Sequence, residues 1–144
     1  MIRPYHPNDT DAIIDVWFKA SLIAHPFLAD SFLEKEQENI RNIYLPNTDT
    51  WVYEKENQVV GFLSLMDNEV GAIFVNPAYH QQGIGKVLMD KAASLHTSLE
   101  VEVFKANSIG RAFYERYGFQ FMKEHRHEAT GHLLLRLSYV PNSN

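Results

Sequence analysis

The 144-residue sequence contains no cysteine. That absence removes a disulfide scaffold, a thiolate metal site and a cysteine nucleophile together. No apolar run approaches the ~20 residues of a membrane-spanning helix, and Asp9, Asp11 and Asp15 break any signal-peptide reading of the first residues. Internal repeats, low-complexity tracts and Pro/Gly/Ser linkers are also missing; only the tail Pro141-Asn142-Ser143-Asn144 reads as frayed. Positive charge is scarce: 13 Lys and Arg stand against 18 Asp and Glu, a formal charge of −5. A charge-driven grip on nucleic-acid phosphates or anionic lipid is therefore not expected. The composition, 45% hydrophobic and 22% charged, is that of an ordinary globular chain. It suits one domain over residues 1–144 in a cytoplasmic setting, without nucleic acid or membrane as partner.

Hydrophobic periodicity divides the chain. Asn8 with Asp11 reads as a helix start, and Ile13, Val16, Trp17 and Ala20 follow at helical spacing, which predicts a helix over 9–23. Ser31 with Glu34 reads as the capping box of a second helix, carrying Phe32, Ile40, Ile43 and Tyr44 and ending at Pro46. Trp51–Tyr53, Val59–Met66 and Val70–Val75 then predict three strands of an antiparallel meander. After Gly83 the helical period returns, with Ile84, Val87, Leu88, Ala92 and Leu95 on one face. Leu99–Val103 alternates as a strand. Asn107 opens a short helix with Ile109, Ala112 and Phe113 inward, Gly118 stands at its C-cap, and Phe119–His125 with Leu133–Val140 forms a closing hairpin. The strands on either side of the Gly83 helix should be parallel neighbours. The expected fold class is α/β, an α+β mixed sheet with helices on both faces.

The stretch Ile73-Phe74-Val75-Asn76-Pro77-Ala78-Tyr79-His80-Gln81-Gln82-Gly83-Ile84-Gly85-Lys86 carries the chemistry. A buried strand ends, a turn with two glycines follows, and a helix begins, so that successive N–H groups face one concavity at the helix's positive end. Such a turn suits phosphate or pyrophosphate; it can equally be a plain connection that starts a helix. A dinucleotide fingerprint would need a small residue where Leu88 stands. A P-loop would need Gly at His80 and Ser or Thr at Val87.

This run resembles the acyl-CoA-binding motif of the GNAT superfamily of N-acetyltransferases, Gln/Arg-x-x-Gly-x-Gly/Ala after a strand. Gly83 and Gly85 match the small positions, and His80 departs from the usual Arg or Gln. A second block, Asn107-Ser108-Ile109-Gly110-Arg111-Ala112-Phe113-Tyr114-Glu115-Arg116-Tyr117-Gly118-Phe119, is similar to the family's Asn-x-x-Ala-x-x-Phe-Tyr-x-x-x-Gly-Phe, with Gly110 in place of Ala. His25-Pro26-Phe27-Leu28 resembles a segment of a small bacterial protein/lysine acetyltransferase subgroup.

The resemblance implies a single acyl-CoA N-acyltransferase domain in which the strand ending at Val75 and the strand from Leu99 splay apart. Acetyl-CoA would lie in the opening along Ile73, Phe74 and Val75. Its pyrophosphate would sit on Gln81, Gln82, Gly83, Ile84, Gly85 and Lys86, and its pantetheine arm would be near Asn107 and Phe113. Tyr114 would act as general acid toward the departing thiolate, with Glu102, Glu69 and His25 as candidates to take the amine's proton. The implied activity is transfer of acetyl to a primary amine by direct attack, on a small molecule or on a protein lysine or N-terminal amine. A catalytically silent acyl-CoA-binding or sensory module is the alternative. No metal is called for, although His125, His127 and His132 approach one another in the closing hairpin. A monomer and a homodimer remain equally open.

Overall fold

In the computed structural model, residues 1–141 are described; Asn142 to Asn144, part of the tail read as frayed, lie outside them. Seven strands form one sheet. They are β1 (Ile2–Pro4), β2 (Asp49–Lys55), β3 (Gln58–Met66), β4 (Glu69–Val75), β5 (Leu99–Phe104), β6 (Gln120–Arg126) and β7 (Leu133–Tyr139), in the order β1-β2-β3-β4-β5-β7-β6. All neighbours are antiparallel except β4 and β5. The crossover between that parallel pair is α3 (Ile84–Leu95), as a parallel connection requires. Glu56 and Asn57, both at positive φ, turn β2 tightly into β3.

Helices cover both faces. α1 (Thr10–Ala24) and α2 (Asp30–Asn39) pack on one side, where Ile13, Val16, Trp17 and Leu33 meet Val52 and Phe62. On the other, α3 and α4 (Ser108–Tyr117) bury Leu88, Met89, Ala92 and Tyr114 against Leu63, Leu65, Val101 and Leu137. The strands supply both cores because successive side chains point to opposite faces.

Several local readings need correction. The first helix is not capped by Asn8 and Asp11. His6 caps a preceding 3-10 turn: its Nδ1 accepts the Asn8 N–H, and its own N–H donates to Asp9 Oδ2 at 2.8 Å. Arg3 clamps both Asp9 oxygens at 2.9 Å and reaches Glu54 on β2, which ties the N-terminal strand to the start of α1. That bidentate contact holds the Asp9 carboxyl below its ordinary range. The second helix starts at Asp30 with Ala29 as N-cap, and Ser31 makes no capping bond. It does not run regularly to Pro46: α2 ends at Asn39, a π-turn spans Ile40–Tyr44, and Pro46 lies inside the final turn Leu45–Asn47. The widened turn leaves Ile43 and Tyr44 exposed. Val87 and Leu95 of α3 are exposed as well, because the buried stripe runs Ile84-Leu88-Met89-Ala92. On α4, Ile109 and Ala112 face solvent and Tyr114 is the buried residue.

Candidate active site

The parallel pairing of β4 with β5 covers only two residue pairs, Glu69 with Glu100 and Val70 with Val101. At the next residue the β3–β4 register jumps from Leu65–Val70 to Ser64–Ala72, which leaves Gly71 as an extra residue. A bulge bends its strand, and from this point β4 leaves β5. Beyond the bulge, Asn76 donates its N–H to Val60 O of β3. By the alternation of an antiparallel strand, the N–H and C=O groups of Ile73 and Val75 then face the gap. The Val75 oxygen accepts from His80 Nε2 at 2.9 Å, which puts the His80 ring proton on that nitrogen.

The gap ends at the turn into α3. Gln81 (φ 65°) and Gly83 (φ 79°) are both left-handed, and alternating hands in successive residues turn backbone N–H groups toward one concavity. Gly83 is the N-cap and has no side chain to cap with. Val87 is the first residue of α3 whose N–H finds a carbonyl here, that of Gly83. The N–H groups of Ile84, Gly85 and Lys86 make no backbone bond among the described residues. Side chains around the turn are engaged elsewhere: Gln82 accepts from Lys55 at 2.6 Å and Lys86 pairs with Asp90 at 2.8 Å. What this turn offers is bare backbone at a helix N-terminus, suited to an anion. Gly85 lies against the Phe113 ring, so that any Cβ there would come within 3.1 Å of it. The two motifs of the sequence are thus in direct contact.

Asn107, buried, caps α4 by accepting the Gly110 N–H on Oδ1 at 2.9 Å. Its Nδ2 lies 3.2 Å from His25 Nε2. His25 follows α1, and its ring is edged by Phe27, Phe74 of β4 and Phe104 of β5. Burial among these rings pushes its pKa down to about 4. Neutral, and with Nε2 committed to Asn107, His25 is a weak proton acceptor at pH 7. Tyr114 packs between Phe113 and Phe119, and burial raises the pKa of its hydroxyl. It is a phenol that stays protonated.

Glu102 belongs to a different group. Arg136 of β7 bonds Glu69 and Glu100 and lies 3.4 Å from Glu102, while His125 Nε2 donates to Glu102 at 2.6 Å. Three carboxylates against the Arg136 guanidinium and Lys123, which stands opposite Arg136 on β6, leave a small net negative charge on this part of the sheet. Of the remaining histidines, His127 pairs with Thr130, and its N–H donates to the carbonyl of His132 across the hairpin. Among the described residues no set of three His, Cys, Asp or Glu is arranged around a common point where a metal would sit.

A family profile described as "Acetyltransferase (GNAT) domain" matches residues 46–121, more than half of the chain. The chain belongs to the GNAT acetyltransferase family. It is 32% identical over 123 residues to peptidyl-lysine N-acetyltransferase YiaC of Escherichia coli, covering 85% of this chain and 84% of that one. The solution structure of apo YjaB from Escherichia coli matches with a TM-score of 0.87 at 26% identity, over 97% of both chains. The PaiA N-acetyltransferase of Thermoplasma acidophilum, solved with coenzyme A, matches with a TM-score of 0.78 at 18% identity, over 96% of this chain and 98% of that one.

For a GNAT enzyme, acetyl-CoA is the cosubstrate, and a strand edge that is unpaired apart from the His80 bond to Val75, leading to a bare helix N-terminus, fits an extended amide arm joined to a pyrophosphate. Three participants escaped the sequence reading: Arg136, His80 as a partner of Val75, and the bond between His25 and Asn107. Arg136 did leave a signal, a lone cation within Leu133-Leu134-Leu135-Arg136-Leu137, opposite the alternating Glu100 and Glu102. The other two contacts left none, since neither pair is linked by any periodicity.

Proposed function

We propose that this GNAT enzyme transfers the acetyl group of acetyl-CoA to the ε-amine of a lysine in a protein. The observation that carries the reading is the gap between β4 and β5, with the backbone of Ile73 and Val75 along one side and the Gln81–Lys86 turn at its end. Support for lysine comes from the relatives named peptidyl-lysine N-acetyltransferases and from the negative charge around Glu102, which suits an ammonium. The cosubstrate is an intracellular metabolite, and the reading assigns the protein to the cytoplasm. No described helix is long and apolar enough to cross a membrane.

In this reading the Phe74 strand and the Gln81–Lys86 turn hold the cosubstrate. Asn107 hydrogen-bonds its amide arm, and Phe113 packs beside it. Glu102, hydrogen-bonded to His125, takes a proton from the arriving ammonium. The free amine attacks the thioester carbonyl; the C–N bond forms, the C–S bond breaks, Tyr114 protonates the departing sulfur, and the second proton lost by the nitrogen restores the Tyr114 hydroxyl by way of solvent. No covalent enzyme intermediate is formed, in keeping with a chain that has no cysteine.

The test is incubation with acetyl-CoA and a panel of lysine peptides, free lysine, polyamines and peptides with blocked side chains. Free thiol is followed with time and the products are read by mass spectrometry. Acetylation confined to lysine side chains of peptides is expected. Tight coenzyme A binding without thiol release from any acceptor would overturn the catalytic reading.

A further inference from the structure

Asn107 has four hydrogen-bonding capacities in its side-chain amide, two acceptor lone pairs on Oδ1 and two N–H donors on Nδ2. The Gly110 N–H, 2.9 Å from Oδ1, fixes which end of the amide is oxygen. The nitrogen therefore faces His25, 3.2 Å from Nε2. An amide nitrogen only donates, so His25 Nε2 is an acceptor and the imidazole proton resides on Nδ1. One Nδ2 hydrogen is used in this way, and the other has no partner among the described residues. The ring that receives the first hydrogen is held from both sides of the gap, by Phe74 of β4 and Phe104 of β5, and by Phe27 of its own loop.

Gly110 supplies an independent observation. A Cβ at that position would stand 2.5 Å from Asn107 Nδ2 and 3.1 Å from its Cγ. No side chain fits at position 110 while the amide points at His25. The absence of a side chain there and the presence of His25 are two conditions for one orientation of Asn107.

We infer that His25 is a positioning residue for the cosubstrate: it holds the Asn107 amide so that one N–H is presented to a carbonyl oxygen entering the gap. This rests on the acetyl-CoA reading above and gives His25 a role other than taking the amine's proton. Its low basicity, about 4 for the pKa, agrees with an imidazole that accepts a hydrogen bond and stays neutral.

Three variants separate the possibilities. His25→Gln places an amide oxygen where Nε2 stands, His25→Leu keeps bulk without an acceptor, and Gly110→Ala displaces the Asn107 amide without touching His25. Calorimetric titration with coenzyme A should show His25→Leu and Gly110→Ala weakened about tenfold, the equivalent of one hydrogen bond. His25→Gln should recover most of that loss, and the double variant His25→Leu/Gly110→Ala should be no weaker than either single one, because both remove one interaction. With acetyl-CoA and a lysine peptide, the change should fall on the acetyl-CoA KM and leave the peptide KM alone. Gly110→Ala improves helix propensity, so weaker binding with an undiminished melting temperature excludes a general loss of folding. A long-range 1H–15N spectrum of the parent at neutral pH should report His25 protonated at Nδ1. Protonation at Nε2, a His25→Gln variant as weak as His25→Leu, or unchanged affinity in both His25→Leu and Gly110→Ala would each overturn the inference. A parent protein that does not bind coenzyme A would instead overturn the acetyl-CoA reading on which it rests.

Discussion

Arg136 of β7 reaches across β5 and takes hold of Glu69 on β4 through both terminal nitrogens, while its Nε donates to Glu100 at 2.7 Å. Glu69 and Glu100 form one of only two residue pairs joining β4 to β5, so this guanidinium pins the base of the gap. Replacing Arg136 with Met should lower stability by about 2 kcal/mol, because two partly buried carboxylates lose their shared partner. Urea unfolding measures the change. A midpoint equal to the parent's would mean that β4 and β5 hold together without the clamp.

Tyr114→Phe keeps the ring between Phe113 and Phe119 and removes only the hydroxyl. An unperturbed phenol at ~10 is already a weaker acid than a thiol at ~8.5, and burial raises Tyr114 further. It therefore acts by hydrogen bonding as charge builds on sulfur, with proton transfer following. We expect kcat to fall about 100-fold, the low end for a positioned acid, or about 2.7 kcal/mol of transition-state stabilisation. Coenzyme A affinity should hardly move. Turnover within threefold of the parent would assign protonation of the sulfur to water or substrate.

Glu102→Gln tests where the acceptor's proton goes. A lysine amine with a pKa of ~10.4 is almost wholly protonated at pH 7, so loss of the carboxylate should reduce kcat/KM by about 10²-fold there. The deficit should shrink as pH rises toward 10, because solvent then supplies the free amine. A deficit of the same size at pH 7 and pH 9.5 would point to recognition of the ammonium rather than to proton transfer.

Gly83 and Gly85 should respond differently to alanine. Gly83 has nothing within 4 Å of a built Cβ, and only its φ of 79° resists substitution. Gly85 has no special φ, but its Cβ would press on Phe113 at 3.1 Å. Gly83→Ala should cost about 1 kcal/mol of stability through left-handed strain, whereas Gly85→Ala should move Phe113 and weaken coenzyme A binding severalfold. Valine at either position should abolish binding in a folded protein, as titration calorimetry will show.

Asp9 gives a pH dependence of stability. Its folded pKa lies below the unfolded value because Arg3 bonds both oxygens. The stabilisation is fully present above the unfolded value near 3.8 and is lost as pH falls through the lower folded value. Asp9→Asn should be about 1–2 kcal/mol less stable at pH 7 and should lose less on acidification than the parent. Parallel acid unfolding curves for the two proteins would remove Asp9 from the account.

The repetitive parts of this fold were legible in the sequence. The meander and the crossover helix follow from periodicity and turn chemistry, which are local, whereas the two glycine-bearing motifs read as a site through their resemblance to the family's. Errors gathered where local signals compete. Ser31 with Glu34 has the form of a capping box, yet the helix starts two residues earlier, with Ala29 as its N-cap and Leu33 buried in its first turns. Nothing near Ile40 announces a π-turn. On α4 the apolar Ile109 and Ala112 lie outward while Tyr114 lies inward, because packing against β5 and β7 decides the buried face and not hydropathy alone. Two of the contacts that define the site's geometry are long-range. His25 and Asn107 stand 82 residues apart and Arg136 and Glu69 stand 67 apart, and no spacing rule joins either pair.

The bulge at Gly71 has a mechanical consequence. Past Val70 and Val101 no backbone hydrogen bond crosses from β4 to β5, so the sheet is two panels sharing a short edge. The N-terminal panel runs from β1 to β4, with α3 packed on β2, β3 and β4, and the other panel holds β5, β7 and β6. Widening the angle between the panels breaks no ladder bonds; what spans the opening is the His25 ring, set between Phe74 and Phe104 and bonded to Asn107. The direction in which the sheet is softest is thus the direction in which a guest must enter, and the stiff strands on either side need not deform to admit it.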